Sequence, residues 1–568
     1  MAIAVIGSQI KTSAVAYTMH QFLKRLWVGP LFSWRFSGFR PQKILAHPLD
    51  LCCADPTMAR EFYHGRFAFS GRIVHSGSAS PFSLTPPTLE WETALHDFHW
   101  LRHMTAARSE LVAAHARSLL EDWLDHNGKR VKGVPWSGAV VARRLISWIC
   151  HSQMLLDGAS ERFEKRFLRS IGFQFRYLRI AIRSMENNDR RLLAAISLTF
   201  ASLALPVSAS MKKKAQTYLV GELSRQILVD GGHISRSPVI LLSLLSDLLS
   251  LRQLYMHINE TAPRILIDSV ERMLPALRFF MHEDKTLAHF NGVGSIMPAC
   301  LSAVLDLDET VGHPFSHARY SGFQRLHANQ TTVLADTGKF PTRSAAEHAC
   351  SGCLSFEMSS QGNRFIINAG VNSYGSKEYQ HFGRVTAAHS TATVNDCSVG
   401  IFRKKRNRAS SLLLEGPTEV QVQRIEGSEN IGFIARHNGY VRLFNLFHER
   451  GLVLTTNGDT IEGFDRFFMP RSGSLKKYKM SQNENNDVAV RFHIHPQVEV
   501  SHNGNSVRLI VGEQMWHFIS PDVDICLEDS IDFAGLTGSQ RTQQIVLYFR
   551  PAVQEKVRWR FTRHELKS

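Results

Sequence analysis

Residues 353–370 read CLSFEMSSQGNRFIINAG and decide the fold of the second half of the chain. Two strand-length apolar runs, CLSFEMSS and NRFIINAG, are separated by a glycine-containing turn. Short runs of this kind continue to the C-terminal region with no helical pattern between them, and many strands in succession are typical of an antiparallel sandwich. The predicted strands lie at 331–338, 353–360, 363–370, 390–396, 440–447, 459–467, 488–496, 498–512 and 543–550, with a tight turn at His502-Asn503-Gly504-Asn505.

Before Asn291-Gly292-Val293-Gly294 the apolar residues recur at helical spacing instead. Seven or more consecutive helices of similar length fit antiparallel helix pairs wound into a ring or solenoid. The predicted helices lie at 109–126, 139–156, 164–185, 192–205, 213–228, 239–257 and 262–282. Residues 1–90 mix proline, glycine and aromatics and predict an irregular arm or cap, so we expect an arm over 1–90, a helical domain over 91–300 and a β-sandwich over 301–568.

The chain is strongly basic. Its 568 residues include 66 Lys and Arg against 50 Asp and Glu, which gives a net charge of +16. Such a charge favours an acidic partner, whether nucleic acid, anionic lipid or acidic polysaccharide. No helix-turn-helix, zinc-finger, RRM or KH signature accompanies the basic runs at 212–214 and 403–408, so we expect no nucleic-acid partner.

Cysteine usage and hydropathy constrain the cellular compartment of the protein. Eight cysteines without a disulfide-framework spacing include one C-S-G-C pair, Cys350 and Cys353, which fits either small core residues or a weak zinc or redox motif. The N-terminal apolar start is short and is interrupted by Gln9 and Lys11, so a secretory signal is poorly supported. With no apolar run of about twenty residues, we expect a soluble protein of the cytoplasm or periplasm. The sequence does not define its oligomeric state.

Three short blocks in the helical half carry polar chemistry. They are Trp136-Ser137-Gly138 followed by Arg143-Arg144, then Asn187-Asn188-Asp189, and then Asp230-Gly231-Gly232-His233 followed by Arg236-Ser237-Pro238. A Gly-Gly turn lets the backbone approach a ligand while His233 and Arg236 project beside it. The alternatives are a structural, hydrogen-bonded imidazole and a surface or helix-start charge.

In the β half the polar candidates lie within one stretch, at His348, Cys350, Asn368, Tyr374 and His389. These segments resemble the H-x-H-A-D-x-L-S-F, D-x-G-x-x-x-Y and R-x-x-x-x-H-N-T patterns of the heparinase II/III-like polysaccharide lyases, and the loop at 230–238 resembles the D-G-G-x-x-x-R-S-P pattern of that family. The resemblance extends from about residue 45 onward and is greatest to an uncharacterised branch.

The resemblance implies an incomplete (α/α) toroid followed by an antiparallel β-sandwich, with β-elimination of an acidic, uronate-containing glycan in a cleft between them. It implies catalytic roles for His233, Tyr374, His389 and Asn188. It also implies substrate binding by Arg144, Arg236, His348 and Asp189. The chemistry needs a base, an acid and preorganised donors for the developing enolate charge.

The sequence departs from the family pattern at the reacting groups. Asp189 stands where the family has a histidine, and Val239-Ile240-Leu241 occupies the position of the usual tyrosine, so the acid is missing unless Tyr374 or Tyr379 of the sandwich supplies it. Cys350 and Asn368 replace a histidine and an aspartate. The resemblance implies zinc at His348, Asn368 and His389, where Cys350 as a thiolate could add a ligand; the alternative for both histidines is a hydrogen-bonding role inside the sandwich.

Three functions are therefore compatible with the sequence. The first is a lyase acting on an acidic glycan. The second is a catalytically altered protein of the bacterial cell envelope that binds such a glycan, which would explain the lost tyrosine and histidine positions. The third, nucleic-acid binding through the basic patches, has no recognition element and would show a steep salt dependence without sequence preference.

Overall fold

The computed structural model describes residues 36–128, 130–307, 314–371, 377–403, 412–470, 486–535 and 538–565. They form two compact units. The helical unit contains the described residues up to Gln226 together with Ser246–Asp268, and the sandwich unit contains Ile227–Leu245 and the described residues from Ser269 onward. The units thus divide earlier than the predicted boundary at residue 300, although the first strand of the large sheets begins only at His317. The reason is that residues 230–236 are hydrogen-bonded to the first strands of the sandwich.

The helices follow the predicted pattern, with ends shifted by a few residues. Side chains start two of them, because Thr88 Oγ1 accepts the Trp91 N–H (3.1 Å) and Ser160 Oγ accepts the Phe163 N–H (3.2 Å). The helices are α1 Thr57–Tyr63, α2 Leu89–Asp97, α3 Leu101–Ala106, α4 Glu110–Asn127, α5 Gly138–Cys150, α6 Ser152–Leu156, α7 Glu161–Ala181, α8 Asp189–Ala204, α9 Ala209–Gln226, α10 Pro238–His257, α11 Arg264–Phe279 and α12 Pro298–Leu305.

The described part of the predicted arm is an integral part of the helical unit. It contains α1 and the hairpin of β1, Arg66–Phe69, with β2, Arg72–His75. Phe36, Phe62 and Phe67 are buried in the same core as the tryptophans of α2, α4 and α5. These residues therefore pack on the helical domain as a cap would, but residues 57–75 form a helix and a hairpin in place of irregular structure.

Helix α10 is the helix of the described residues that is long and apolar enough to cross a membrane by length and composition. However, 67% of its most apolar window is buried inside the protein. The same composition serves a core helix, which is hydrophobic on all sides because it is surrounded by protein.

The sandwich unit contains two large antiparallel sheets. The strands are β3 His317–Ala318, β4 Phe323–Ala328, β5 Thr331–Asp336, β6 Phe356–Ser360, β7 Asn363–Ile367, β8 Ala392–Val394, β9 Ile401–Arg403, β10 Leu412–Glu415, β11 Val420–Glu426, β12 Asn430–His437, β13 Phe447–Thr455, β14 Thr460–Phe468, β15 Val488–Ile494, β16 Glu499–Asn503, β17 Ser506–Val511, β18 Gln514–Ile519, β19 Ile525–Asp532, β20 Gln540–Phe549 and β21 Lys556–Glu565. One sheet has the order β11-β12-β13-β14-β21-β18-β17-β16, and the other has the order β19-β20-β15-β7-β6-β5-β4-β3 with β8 paired to β15.

The two sheets share one core. Phe356 and Phe492 from one sheet lie against Trp559 of the other, with ring centroids 5.6 and 5.1 Å apart. The sandwich and the turn at 502–505 are confirmed, since Asn503 pairs with Ser506 across Gly504. Two short helices, α13 Lys377–Phe382 and α14 Val441–Phe444, connect strands.

The strand predicted at 440–447 is wrong. Residues 441–444 form α14, which ends where Asn445 adopts a left-handed conformation, φ 56°. The buried Tyr440 hydroxyl donates to the Ala392 carbonyl (2.8 Å) and fixes the turn before β13 begins. A tertiary hydrogen bond therefore overrides the local strand pattern.

Candidate functional site

The loop from Asp230 to Pro238 is fastened at its start by the Asp230 carboxylate. That group accepts the N–H groups of Tyr320 (2.8 Å) and Ser321 (2.7 Å), which lie in the turn between β3 and β4. Gly231 has φ 79°, and a Cβ at this residue would lie 2.0 Å from the Arg272 carbonyl oxygen. The first glycine of the Gly-Gly pair therefore permits a close approach between backbone segments of the protein itself.

The Arg236 side chain is fully engaged inside the sandwich unit. Its Nε donates to the Ser321 carbonyl (2.7 Å), Nη1 donates to the Lys339 carbonyl (2.9 Å), and Nη2 donates to the Gly322 carbonyl (3.1 Å) and pairs with the buried Asp336 carboxylate. The residue is 7% exposed. This geometry does not support the predicted role of Arg236 in holding a substrate carboxylate, because all three guanidinium nitrogens are already bonded to protein oxygens.

His233 is buried and electrically neutral. The Ser235 N–H donates to its Nδ1 (3.1 Å), which places the ring proton on Nε2. Burial, with a smaller contribution from the charge of the neighbouring His348, lowers the pKa of His233 to about 3. His233 is therefore a hydrogen-bonding imidazole at neutral pH.

Asn291 links this loop to the segment that carries His348. Its Nδ2 donates to the Arg236 carbonyl (3.1 Å), and its Oδ1 accepts the Cys350 N–H (3.1 Å). The neighbouring Gly292 runs so close to His348 that a Cβ at 292 would lie 2.8 Å from the His348 Cβ. The sequence pattern marked Asn291 and Gly292 only as the turn between domains, and their part in placing His348 was missed.

His348 differs from the other histidines predicted for the site. Its side chain is half-buried, and within the described residues its ring has no hydrogen-bond partner. The His348 carbonyl accepts a weak hydrogen bond from the Cys350 thiol (3.7 Å). The backbone is thus held while the imidazole remains available to a ligand.

His389 is held in place by the backbone. Its Nδ1 donates to the Val385 carbonyl (2.8 Å), and the residue is 2% exposed. Gly352 makes room for the ring, since a Cβ there would lie 2.5 Å from His389 Cδ2. Burial lowers the pKa of His389 to about 4, so its imidazole is neutral at physiological pH.

Asn368 is clamped at both ends of its amide. Oδ1 accepts the Ser390 N–H (3.0 Å), and Nδ2 donates to Glu357 Oε1 (3.2 Å). Both hydrogen bonds orient the segment that carries His389. The geometry does not support Asn368 as a zinc ligand, because its oxygen already accepts a backbone N–H.

A buried charge network around Glu357 was missed by the sequence analysis. Glu357 Oε2 accepts Arg364 Nη2 (2.7 Å) and lies 3.0 Å from His282 Nε2, while Oε1 accepts the N–H groups of His289 (2.8 Å) and Asn368 (3.0 Å). Although burial opposes its ionisation, Arg364, His289 and His282 hold the pKa of Glu357 well below its ordinary value. The available signal was the lone carboxylate in the otherwise uncharged strand segment CLSFEMSS.

The cysteines of the C-S-G-C pair are buried thiols. Burial raises the pKa of Cys350 to about 11 and raises that of Cys353 still further, so neither is a thiolate at neutral pH. This favours the interpretation as core residues. Among the described residues, the histidine, cysteine and carboxylate side chains close enough to share a metal ion are instead Asp50, Cys52 and His99, in the helical unit.

Arg144 belongs to the core of the helical unit and is 0% exposed. Its Nε donates to Gln174 Oε1 (2.8 Å), and its Nη1 donates to the carbonyls of His96 and Pro135 (both 2.9 Å). The guanidinium lies over the Trp123 ring, 4.1 Å from the centroid. The predicted contact between Arg144 and a substrate acid is not supported, because the charge is enclosed by tryptophans and backbone oxygens.

The remaining predicted residues lie elsewhere in the chain. Asn188 is the buried N-terminal cap residue of α8, and Asp189 is the first residue of that helix. The Asn188 carbonyl accepts the Arg191 and Leu192 N–H groups (3.0 and 3.2 Å). Asn188 and Asp189 both belong to the helical unit. The other predicted residues that the structure describes in the β half and the loop lie in the sandwich unit; they are His233, Arg236, His348, Asn368 and His389. Tyr374 lies outside the described residues.

Among the histidines predicted for the site, His348 is the one whose imidazole is available within the described residues, and it lies on a hydrogen-bonded backbone. His348 can accept or donate a proton, or bind a sugar hydroxyl or carboxylate. His233 lies close enough for their charges to interact. Within the described residues the arginines predicted to neutralise a substrate acid are bonded internally, which limits what this arrangement can catalyse.

Comparison with known proteins agrees with this architecture. Residues 310–560 match the family described as Heparinase II/III-like, C-terminal. A relative, FtsZ-localized protein C of Caulobacter vibrioides, is 29% identical over 542 residues and spans 93% of this chain and 91% of its own length.

Two solved structures share the fold of the chain. Heparinase III superposes with a TM-score of 0.70 at 14% identity, over 98% of this chain and 91% of that one. A mutant of heparan sulfate lyase HepC from Pedobacter heparinus superposes with a TM-score of 0.61 at 16% identity, also over 98% and 91%. Both confirm a helical toroid followed by an antiparallel β-sandwich. Residues 310–560 thus match the Heparinase II/III-like C-terminal domain family, and the chain as a whole shares the fold of heparinase III.

Proposed function

We propose that the protein is a catalytically altered member of the heparinase II/III-like superfamily that binds an acidic glycan without cleaving it. The observation that carries the proposal is the contrast between Arg236, which is bonded to four protein oxygens, and His348, whose ring is available. Within the described residues, the site keeps a group that can bind a sugar acid, whereas the arginines predicted to neutralise the substrate acid are bonded internally.

β-Elimination from a uronate has three requirements, and within the described residues the arginines predicted to meet one of them are bonded internally. A base must remove a weakly acidic C–H proton, donors must meet the charge that develops on the carboxylate, and an acid must protonate the leaving oxygen. His348 could serve as the base. The usual tyrosine position on α10 is aliphatic, and Arg144 and Arg236 are bonded within the protein.

The charge of the chain agrees with an anionic ligand. A net charge of +16 attracts a polyanion and raises its local concentration at the surface. The names of the related solved structures point to the same class, since one of them is a heparan sulfate lyase. We therefore propose an acidic polysaccharide as the ligand class.

A paired assay of binding and cleavage tests the proposal. The full chain is incubated with alginate, heparan sulfate, chondroitin and a bacterial exopolysaccharide, while calorimetry measures binding and ultraviolet absorbance measures unsaturated uronide. We expect binding to at least one glycan with no rise in absorbance. The His348→Ala variant should bind at least tenfold more weakly, whereas His502→Ala, on an exposed hairpin of the same unit, should bind like the wild type.

Lyase activity is the second candidate, because three imidazoles, at His233, His348 and His389, are retained in one unit. It would appear in the same assay as a rise in absorbance that His348→Ala abolishes. That result would overturn the proposed loss of cleavage and would keep the predicted substrate class.

The full-length relative suggests a cellular location. We propose that this chain, like FtsZ-localized protein C, localises with FtsZ, because the 29% identity extends over 93% of the chain and so includes both units. A fluorescent fusion of the full chain should colocalise with FtsZ. A diffuse signal in cells with intact FtsZ assemblies would contradict this.

A further inference from the structure

We propose a zinc-class metal site in the helical unit, formed by Asp50, Cys52 and His99. One ligand atom from each of these residues lies within 4.8 Å of the other two. In a tetrahedral zinc site the ligand atoms are about 3.3–3.8 Å apart, so a small contraction of this group would complete three bonds. Oxygen, sulfur and nitrogen in one cluster suit zinc or cobalt better than calcium or magnesium, which prefer oxygen alone.

The backbone holds the three residues in position without a metal. The Cys52 N–H donates to Asp50 Oδ1 (2.9 Å), which turns the chain so that both side chains lie together. On the other side, α2 ends with Phe98 in a left-handed conformation, φ 57°, and the His99 N–H donates to Asp97 Oδ1 (2.8 Å). The ligands therefore come from two separately fixed turns.

A second layer of contacts orients the carboxylate. His151 Nε2 lies 3.3 Å from Asp50 Oδ2, and its Nδ1 lies 2.9 Å from Thr105 Oγ1. Such outer contacts commonly orient metal ligands in proteins.

The three residues line a cavity of about 10 Å³, with Cys150 and Ser147 also in its wall. That volume suits one water molecule, and it is far too small for a sugar. A metal bound here could hold a water as its fourth ligand, and its role would be structural. It would join the segment at residues 50–52 to the end of α2.

Two arginines lie near the cavity. Arg143 is paired with Asp247 through two hydrogen bonds of 2.6 and 2.7 Å, which balance its charge. Arg102 Nη1 lies 2.7 Å from His99 Nε2 and 3.3 Å from Nδ1, so a metal would displace this contact.

Cobalt titration of the full chain, stripped with a chelator and then freed of it, tests the site. We expect one Co²⁺ per chain, a thiolate-to-cobalt charge-transfer band, and displacement by one equivalent of Zn²⁺. The Cys52→Ser variant should lose the band, and His99→Gln should weaken Co²⁺ binding at least tenfold. Cys526→Ser, an exposed cysteine of the sandwich unit, should bind like the wild type.

Two controls keep the test decisive. Circular dichroism and the urea midpoint establish that each variant is folded, and Cys350→Ser reports on the sandwich cysteine implied by the family resemblance. If the wild type binds no Co²⁺ or Zn²⁺ at micromolar concentration, the site does not exist. If Cys350→Ser removes the band while Cys52→Ser keeps it, the metal lies in the sandwich and the proposal is wrong.

Discussion

The loop at 230–238 and the segment at 346–350 both carry family-like motifs in the sandwich unit, but they use their side chains differently. In the loop, Asp230 and Arg236 bond to the β3–β4 turn, and His233 is buried. In the segment, the backbone is held by Asn291 while the His348 ring is half-buried and open. The comparison teaches that a residue matching a catalytic motif can serve only to hold the fold. Burial and hydrogen bonding distinguish such a residue from one that is open to a ligand.

Replacing Arg236 should produce the largest effect on the scaffold. Arg236→Ala leaves the buried Asp336 carboxylate unpaired and removes donors from three carbonyl groups. We expect a loss of about 3–5 kcal/mol in the free energy of unfolding, measured with urea. The exposed Arg343→Ala in the same unit should stay within about 0.5 kcal/mol of the wild type. An Arg236→Ala protein of normal stability that binds glycan poorly would instead favour a ligand-binding arginine.

The next prediction separates two reasons for a glycine in this unit, which are close approach to another backbone segment and a positive φ alone. Gly231→Ala should cost about 2–5 kcal/mol, because the residue has φ 79° and a Cβ would collide with the Arg272 carbonyl. Gly504→Ala also has a positive φ, 59°, but its Cβ would meet no atom within 4 Å. It should cost only about 1–2 kcal/mol. Equal losses in urea denaturation would show that backbone conformation alone explains Gly231.

Asn368→Asp tests whether this residue serves through its two hydrogen bonds or as a metal ligand. The carboxylate would lose the hydrogen bond to Glu357 and would place a like charge beside it, so we expect a loss of about 1–3 kcal/mol in unfolding free energy. Thermal denaturation of the variant with and without zinc provides the measurement. Zinc-dependent stabilisation that the wild type lacks would contradict the hydrogen-bonding role.

Acid should weaken the buried histidines' contribution to stability. The pKa of His233 is about 3 in the folded protein and about 6.5 when unfolded, so between these values the unfolded chain binds more protons. Stability therefore falls as the pH drops from about 6.5 towards 3, and His233 contributes about 1.4 kcal/mol per pH unit. Urea titrations from pH 7 to pH 4 should show a shallower decline for His233→Gln. Parallel curves would mean that His233 is protonated in the folded state.

The fold was largely predictable from the sequence, because helical and strand periods are local properties of the chain. The exception at 441–444 depends on the hydrogen bond from Tyr440 to Ala392, which lie 48 residues apart. The histidines of the site could also be named from motifs. Whether Arg144 and Arg236 face a ligand or a core depends on distant partners such as Trp123 and Asp336, which spacing does not reveal.

His348→Ala should have the smallest effect on stability. The ring of His348 has no hydrogen-bond partner within the described residues, so its removal should change the unfolding free energy by less than about 0.5 kcal/mol. The same variant should lose glycan affinity. A large loss of stability would place His348 with the scaffold residues and remove the contrast between the two segments.

The most direct test follows glycan binding and ultraviolet absorbance together for the wild type and for His348→Ala, on samples whose urea midpoints agree. The account predicts that the wild type binds an acidic glycan, that His348→Ala binds it at least tenfold more weakly, and that neither sample produces unsaturated uronide. Equal binding by the two proteins, or absorbance that grows with wild-type concentration, would contradict it.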